Sequence, residues 1–397
     1  METTARDRKA ERELFALNDV GHRATFVFAS RQMASEQGDG YLEYKRADSL
    51  HELLRLKEAE QAAHEMLKIC DKASHRHGYC MLGKILETAG RPVEAIRAFE
   101  AAIDAEFDHA HGYIHLGGLF AFLGEFKKSS EYRECATRCK KGAIEEAWLN
   151  LGYLCAAEER YSAARDCFQR ALEIDPRYKE ARAGLREIKL ILAGIPNLRL
   201  DALRAKIKRI NDSKVSLPNY LILLTREFLK KTGPCDAFIL YLHCQALGQV
   251  ARYKEALALL PKVYEVLPKA EHNVWHEFAT LYSRMLNFKE AARYYRKALA
   301  RQRGDPASCR DFGILRRKQG RLIEAEKLLC LAVRNDSEND YNWEELGNLY
   351  RSTERFAQAA RCYEKALILN PKLKEARVAL EDVRAAQRWM KLHGKKR

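Results

Sequence analysis

The chain has 397 residues, with 70 lysines and arginines against 55 aspartates and glutamates and a formal net charge of +15. Hydrophobic residues make up 47% of it and aromatic residues 9%, ample for a folded chain, while the 31% charged residues fit a molecule with much solvated surface. No run of 18 apolar residues exists, which excludes a membrane-spanning helix, and the eleven cysteines contain no Cys-x-x-Cys pair.

Residues 4 to 18 read as a helix with Thr3 or Thr4 as cap, Leu14 and Leu17 on one face and Gly21 as a stop. A second helix runs from about His22 to Gln37 and ends at Gly38-Asp39-Gly40, so residues 1–40 form an N-terminal helical extension. This end is charged from its first residues and has no apolar stretch for export. Residues 41–75 form a degenerate hairpin in which Leu56, Ala59, Ala63 and Met66 occupy one helix face.

A fixed grammar then recurs every 34 or 35 residues: a large residue, Leu-Gly, an aromatic, a small Ala, a second aromatic and a closing Pro. Residues 76–109 carry Tyr79, Leu82, Gly83, Ala95, Phe99 and Ala102. Residues 110–144 carry Tyr113, Leu116, Gly117, Phe120 and Ala136, but Ser129 and Arg133 stand where Ala and an aromatic belong, so the second helix there is expected to pack less tightly. Residues 145–178 carry Trp148, Leu151, Gly152, Ala164, Phe168, Ala171 and Pro176. With the degenerate hairpin these give an N-terminal array over 41–194.

The interval 179–236 is not a multiple of 34. It holds a helix ending at Ala193-Gly194, a basic helix around Leu198 to Ile210 and a third from about Pro218 to Lys231, punctuated by Pro196, Pro218 and Gly233-Pro234. Residues 195–236 are therefore read as a basic helical joint. The grammar resumes over 237–373, with Tyr253, Ala256, Leu260 and Pro268, then Trp275, Phe278, Ala279, Tyr282, Phe288, Ala291, Tyr295 and Ala298, then Phe312, Gly313, Ala325, Leu329 and Ala332. The last copy is W-E-E-L-G-N-L-Y from Trp343 to Tyr350, followed by Ala359, Tyr363, Ala366 and Pro371. Residues 374–397 supply a capping helix, apolar at Ala376, Leu380, Val383 and Trp389 and charged outside, and a basic tail.

This pattern resembles the tetratricopeptide repeat, a helix-turn-helix of about 34 residues. The resemblance implies an all-α fold, an α-solenoid of helical hairpins with a C-terminal capping helix, in which each unit packs on its neighbours. Gly and Ala sit where the helices of one unit cross closely, and the motif tryptophans Trp148 and Trp343 belong to the core. The thiols, such as Cys167, Cys330 and Cys362, fall beside motif positions and act as small buried hydrophobes, which implies a cytoplasmic, reduced chain.

Such folds bind rather than catalyse, and no Gly-rich phosphate loop, His-Glu zinc helix or serine elbow is present; no enzyme activity and no cofactor are expected. The resemblance places the first helix of each unit along a concave groove. Carried over by position, the C-terminal array presents Phe238, Tyr241 and Gln245, then Asn273, His276, Thr280 and Arg284, then Arg310, Arg317 and Lys318, then Tyr341, Glu344, Asn348 and Arg351. Amides grip a peptide backbone and arginines pair with carboxylates, so an extended acidic protein segment is the expected partner. A solvated polar face without a ligand is the plain alternative. One subfamily clamps the C-terminal carboxylate of heat-shock chaperones with Lys and Asn; here Glu344 and Glu146 stand in place of the Lys beside Asn348 and Asn150, which speaks against that partner.

The N-terminal groove would present His77, Cys80, Lys84, His111, Ile114 and His115. His111 and His115 have a metal-chelating spacing, but no carboxylate is placed to orient the rings and no metal is assigned. Two segments concentrate the charge. Residues 195–234 hold nine bases and three acids, and residues 384–397 hold six bases and no acid. Lys206, Lys208 and Arg209 in the joint and Lys395, Lys396 and Arg397 in the tail thus carry a second reading, docking to RNA phosphates. Tyr220 and Phe228 lie on apolar faces and offer no stacking platform. A third reading is a dedicated chaperone for another protein.

Overall fold

The computed structural model of the chain describes residues 14, 16–17, 21–32, 40–195, 198–213, 216–266, 268 and 271–393. The helix expected over residues 4–18 lies outside these apart from Leu14, Ala16 and Leu17, which are helical, and the tail residues Lys395, Lys396 and Arg397 also lie outside. Among the described residues there are 21 α-helices, one 3₁₀ turn at Lys72–Ser74, one isolated bridge between His109 and Lys141, and no β-strand.

In chain order the helices are α1 (Arg23–Gln32), α2 (Gly40–Glu52), α3 (Leu56–Ile69), α4 (His75–Thr88), α5 (Pro92–Ala105), α6 (Ala110–Phe122) and α7 (Phe126–Arg138). There follow α8 (Ile144–Ala157), α9 (Tyr161–Ile174), α10 (Lys179–Leu192), α11 (Leu200–Asn211), α12 (Pro218–Thr232), α13 (Ala237–Gln249) and α14 (Tyr253–Val266). The last are α15 (Glu271–Arg284), α16 (Phe288–Arg301), α17 (Pro306–Lys318), α18 (Leu322–Asn335), α19 (Asp340–Ser352), α20 (Phe356–Leu369) and α21 (Lys374–His393). Each repeat read from the sequence is a pair of these helices, the degenerate one over 41–75 included, and the fold is an α-solenoid of helical hairpins.

Two local devices make the hairpins. The first is close approach: a β-carbon on Gly152 would stand 2.7 Å from the Phe168 ring, and one on Gly347 would stand 2.8 Å from the Tyr363 ring, so only hydrogen fits between the paired helices. Phe168 is held on its other side by Gly184, whose β-carbon would meet it at 2.7 Å. The second is a left-handed residue in the turn. Positive φ occurs at Leu54, Gly90, Gly124, Glu159, Ala251, Leu286, Gly320 and Glu354, once per hairpin, where the chain reverses within a few residues.

The hairpin of α6 and α7 departs from expectation. Ser129 and Arg133 do not loosen it, because both are buried. The Ser129 hydroxyl donates to Gly117 O at 2.7 Å, which takes the place of the usual Ala contact, and the Arg133 guanidinium donates to Asn150 O. The motif tryptophans are half-buried rather than sealed: Trp148 packs at the margin of the core and Trp343 donates its Nε1 hydrogen to Ser337 O at 2.8 Å.

The chain forms two compact units, Met1–Ala98 with Gln302–Arg397, and Phe99–Arg301. In the first, α1 packs on α21. Asp382 is fully buried and accepts from the backbone N–H groups of Ala24 (3.0 Å) and Thr25 (3.1 Å) and from the Thr25 hydroxyl (3.1 Å), capping from a distance the orphan N–H groups that begin α1. Phe28 meets Trp389 edge-on at 5.6 Å. The capping helix therefore does not end in a charged outer face at Asp382; α1 covers it there. In the second unit, Leu203, Ile207, Tyr220, Leu224 and Phe228 of α11 and α12 join one apolar core with the repeats before and after them. Buried Glu187 on α10 repeats the distant cap, accepting from Tyr220 N at 3.1 Å and Asn219 Nδ2 at 3.2 Å at the start of α12.

Candidate functional site

The residues predicted to line a groove lie on the first helices of the hairpins; Asn273 among them is exposed, whereas Cys80, Ile114, Arg317 and Glu344 are buried. In the second unit, α13 and α15 bring Tyr241, Gln245, Asn273, His276 and Arg284 together. The Tyr241 hydroxyl donates to Glu277 Oε2 at 3.1 Å, and Gln245 Nε2 donates to the same oxygen at 3.5 Å. Burial, with the Glu277 carboxylate beside it, pushes the Tyr241 phenol well above its ordinary range and keeps it a donor. Arg284 Nη1 donates to Gly248 O at 3.0 Å, the His276 ring lies 5.8 Å from Tyr295, and Asn273 is exposed. Thr280 turns its hydroxyl back to His276 O.

Beside this row a cavity of about 610 Å³ opens, lined by Phe228, Thr232, Cys235, Asp236, Ala237, Phe238, Tyr241, Val263, Asn273 and Val274. The repeat period breaks here: α12 precedes α13 outside the 34-residue frame, and Gly233, with φ of 70°, ends α12 before α13 begins. Arg204 of α11 stands at the rim, donating to Asp236 at 2.7 Å with its guanidinium 5.9 Å from the Phe238 ring centre.

The same unit holds His111 and His115. Their ring centres are 6.5 Å apart, and His115 stacks on Phe99 at 5.2 Å. His109, which is not among the predicted groove positions, lies with its ring 4.7 Å from that of His111 and caps α6. Of the joint bases, Lys206 donates to the Tyr220 hydroxyl at 2.9 Å, whereas Lys208 and Arg209 are exposed on α11.

In the first unit the predicted groove positions sit among the chain's own acids. Arg310 donates to Asp311 at 2.8 Å with its guanidinium 5.4 Å from the Tyr341 ring centre. Arg317 is buried and donates to Glu345 Oε2 at 3.1 Å, Arg351 reaches Asp382 at 3.5 Å, and Asn348 Oδ1 accepts from the Tyr363 hydroxyl at 2.7 Å. Lys318 is half-buried; desolvation lowers its pKa, with Arg317 adding to the effect and Glu345 and Glu87 opposing it. Lys84 is half-buried and acts electrostatically on Glu87, whose carboxyl burial pushes up to about 7. His77 shares a 2.7 Å contact between its Nε2 and Arg76 Nη2 and meets Tyr44 edge-on at 6.3 Å. Glu344 is buried, its Oε2 has no hydrogen-bond partner, and burial with Glu345, Glu375 and Asp340 nearby raises its pKa to about 7. The partners that hold these groups, Glu277, Glu345 and Asp382, were not read from the sequence. They lie off the motif positions and become visible only once neighbouring helices are packed.

A helical hairpin repeated at this period, with glycine at the crossing and a polar first-helix face, defines a helical-repeat protein. The family described as tetratricopeptide repeat matches residues 77–109, 145–178, 274–307 and 341–373, and the chain is a tetratricopeptide-repeat protein. It is similar to Protein NPG1 of Arabidopsis thaliana, 23% identical over 299 residues; the match covers 70% of this chain and 40% of that protein's length. Among solved structures it resembles yeast Tom70, at 13% identity, 89% of each chain covered and a TM-score of 0.41. A tetratricopeptide repeat protein from Parabacteroides merdae is similar at 15% identity over 69% of this chain and 98% of that one, with a TM-score of 0.37.

Proposed function

We propose that the chain is a non-enzymatic scaffold or adaptor that holds an extended protein segment along the first-helix faces of its repeats. The observation that carries this reading is the row on α13 and α15, where exposed Asn273 and half-buried His276, Tyr241 and Gln245 present hydrogen-bonding groups beside an apolar cavity. Amide and phenol groups match a peptide backbone, which must find partners for its own N–H and C=O groups when it leaves water. An acidic segment is favoured by the exposed bases at the joint, Lys208, Arg209 and Lys230, more than by Arg310, Arg317 and Arg351, which already face carboxylates of the chain.

The second reading, an RNA-associated subunit, draws on Lys208 and Arg209 exposed on one helix, with the tail bases as further phosphate contacts. A dedicated chaperone would use the same face as the scaffold, for one partner only. Affinity capture by the full chain, with and without nuclease, tests the choice. Partners retained after nuclease treatment, and weakened by Asn273→Ala with His276→Ala, support the scaffold; partners lost with nuclease support the RNA reading.

A further inference from the structure

The cavity at the break in the repeat period has a more specific use. We infer that it is a side-chain subsite that takes an aromatic or branched aliphatic residue of a bound protein segment whose flanking residues are acidic, an inference that rests on the scaffold reading. Phe228, Val263 and Val274 are buried at its walls, while Phe238 is 41% exposed at its edge. An apolar hollow of about 610 Å³ is large enough for one large side chain with room for the neighbouring backbone. Exposed Asn273 offers such a backbone both a donor and an acceptor, and the Tyr241 hydroxyl, whose hydrogen goes to Glu277, keeps an acceptor lone pair for a backbone N–H.

Charge at the margin selects the flanks. Arg204 sits over Phe238 and is fully charged at any working pH, and Lys230 and Lys231 lie in the last turn of α12, just before Thr232. Asp236 and Glu227 face Arg204 and Lys231, which leaves Lys230 as the surplus base, and Lys208 and Arg209 extend the positive field along α11. A segment with carboxylates on either side of its apolar anchor meets this field with opposite sign, and a lysine-flanked one meets it with the same sign. The anchor supplies affinity and the flanks supply selection.

The test uses the full chain and short fluorescent synthetic peptides: a phenylalanine between glutamates and aspartates, the same peptide with alanine for phenylalanine, and the same with lysine flanks. The acidic phenylalanine peptide is expected to bind at least about tenfold more tightly than either control, and to weaken about tenfold with Phe238→Ala or Asn273→Trp. Both positions are exposed, and an unchanged thermal melt shows that the variants fold. Saturation with that peptide is also expected to slow maleimide labelling of Cys235, an exposed thiol in the cavity lining. Equal affinity for the phenylalanine and alanine peptides, absence of binding at millimolar peptide, or unchanged Cys235 labelling at saturation overturns the subsite. Failure of the subsite is distinct from failure of the scaffold reading. If these peptides do not bind but a captured protein partner is still weakened by His276→Ala, the groove is used and the cavity is not.

Discussion

At the scale of single residues, the fold depends on backbone positions and buried carboxylates that the repeat grammar does not name. Five of the turn residues with positive φ are not glycine, and a side chain there costs about 1–2 kcal/mol against the right-handed alternatives. Ala251→Gly, which removes this strain at some loss of chain entropy, is expected to stabilise the fold by about 0.5–1 kcal/mol, measurable as a raised midpoint in urea. Glu159 and Glu354 would behave differently, because their side chains are in use. Glu159 Oε1 accepts from Arg226 at 2.5 Å and Arg252 at 2.6 Å, and Glu354 Oε1 accepts from Arg31 and Arg55, both at 2.6 Å. Arg226 and Arg252 hold the Glu159 carboxyl down at about 2, so its contribution is present above the ordinary glutamate range and is lost as pH falls from about 4.5 toward 2.

Glu344 has the opposite sign. Its folded pKa of about 7 lies above the unfolded value, so the folded chain binds the extra proton and stability falls as pH rises from about 4.5 to 7. Glu344→Gln keeps the shape and removes the titration. It is expected to leave stability near pH 4 almost unchanged and to raise it by about 1–3 kcal/mol at pH 8; a constant difference across that range would show that Glu344 is not desolvated.

At the scale of elements, packing follows the helix crossings. Gly347→Leu should cost about 3 kcal/mol, because even a β-carbon would meet the Tyr363 ring at 2.8 Å and Tyr363 is fully buried. A thermal melt reads this directly, and an unchanged midpoint would mean that the α19 and α20 crossing relaxes at no cost. The docking of α1 on α21 combines the Phe28–Trp389 contact with one buried carboxylate, Asp382. Asp382→Ala would strand the N–H groups of Ala24 and Thr25 and is expected to cost about 2–4 kcal/mol. Hydrogen exchange should show α1 opening before the repeats do.

The helices themselves were legible from the sequence because Leu-Gly, Ala and aromatic offsets recur together, and the three helices of the interval 179–236 were marked by glycine and proline punctuation at Gly194, Pro218 and Gly233-Pro234. The packing of Ser129 and Arg133 was not, since a polar residue at an apolar offset reads as a defect until its hydrogen-bond acceptor on another helix is known. Nor was the aromatic ladder of α15 and α16, in which Phe278 and Tyr282 stack on Tyr294 at 4.8 and 5.4 Å. Tyr294 sits one residue before the motif aromatic Tyr295 and joins the stack only when the two helices are paired.

At the scale of the whole molecule, the repeat frame lists positions for a groove but not the neighbours that take up their charge. Arg310, Arg317 and Arg351 read as free cations in the sequence and sit against Asp311, Glu345 and Asp382 in the folded chain, whereas Lys208, Arg209 and Lys230 are exposed. Removing the Arg317 side chain would leave Glu345 buried without its partner, which makes the exposed positions of α15 the cleaner probes. The most direct measurement is an equilibrium titration of one captured protein partner, after nuclease treatment, against three full-length proteins: the unaltered chain, Asn273→Ala with His276→Ala, and Lys208→Ala with Arg209→Ala. The scaffold account predicts a loss of about tenfold or more for the α15 variant, since each hydrogen bond to a partner contributes about 0.5–1.5 kcal/mol, and a smaller, salt-dependent loss for the α11 variant. Full affinity for the α15 variant, with binding abolished by the α11 variant or by nuclease alone, would contradict it.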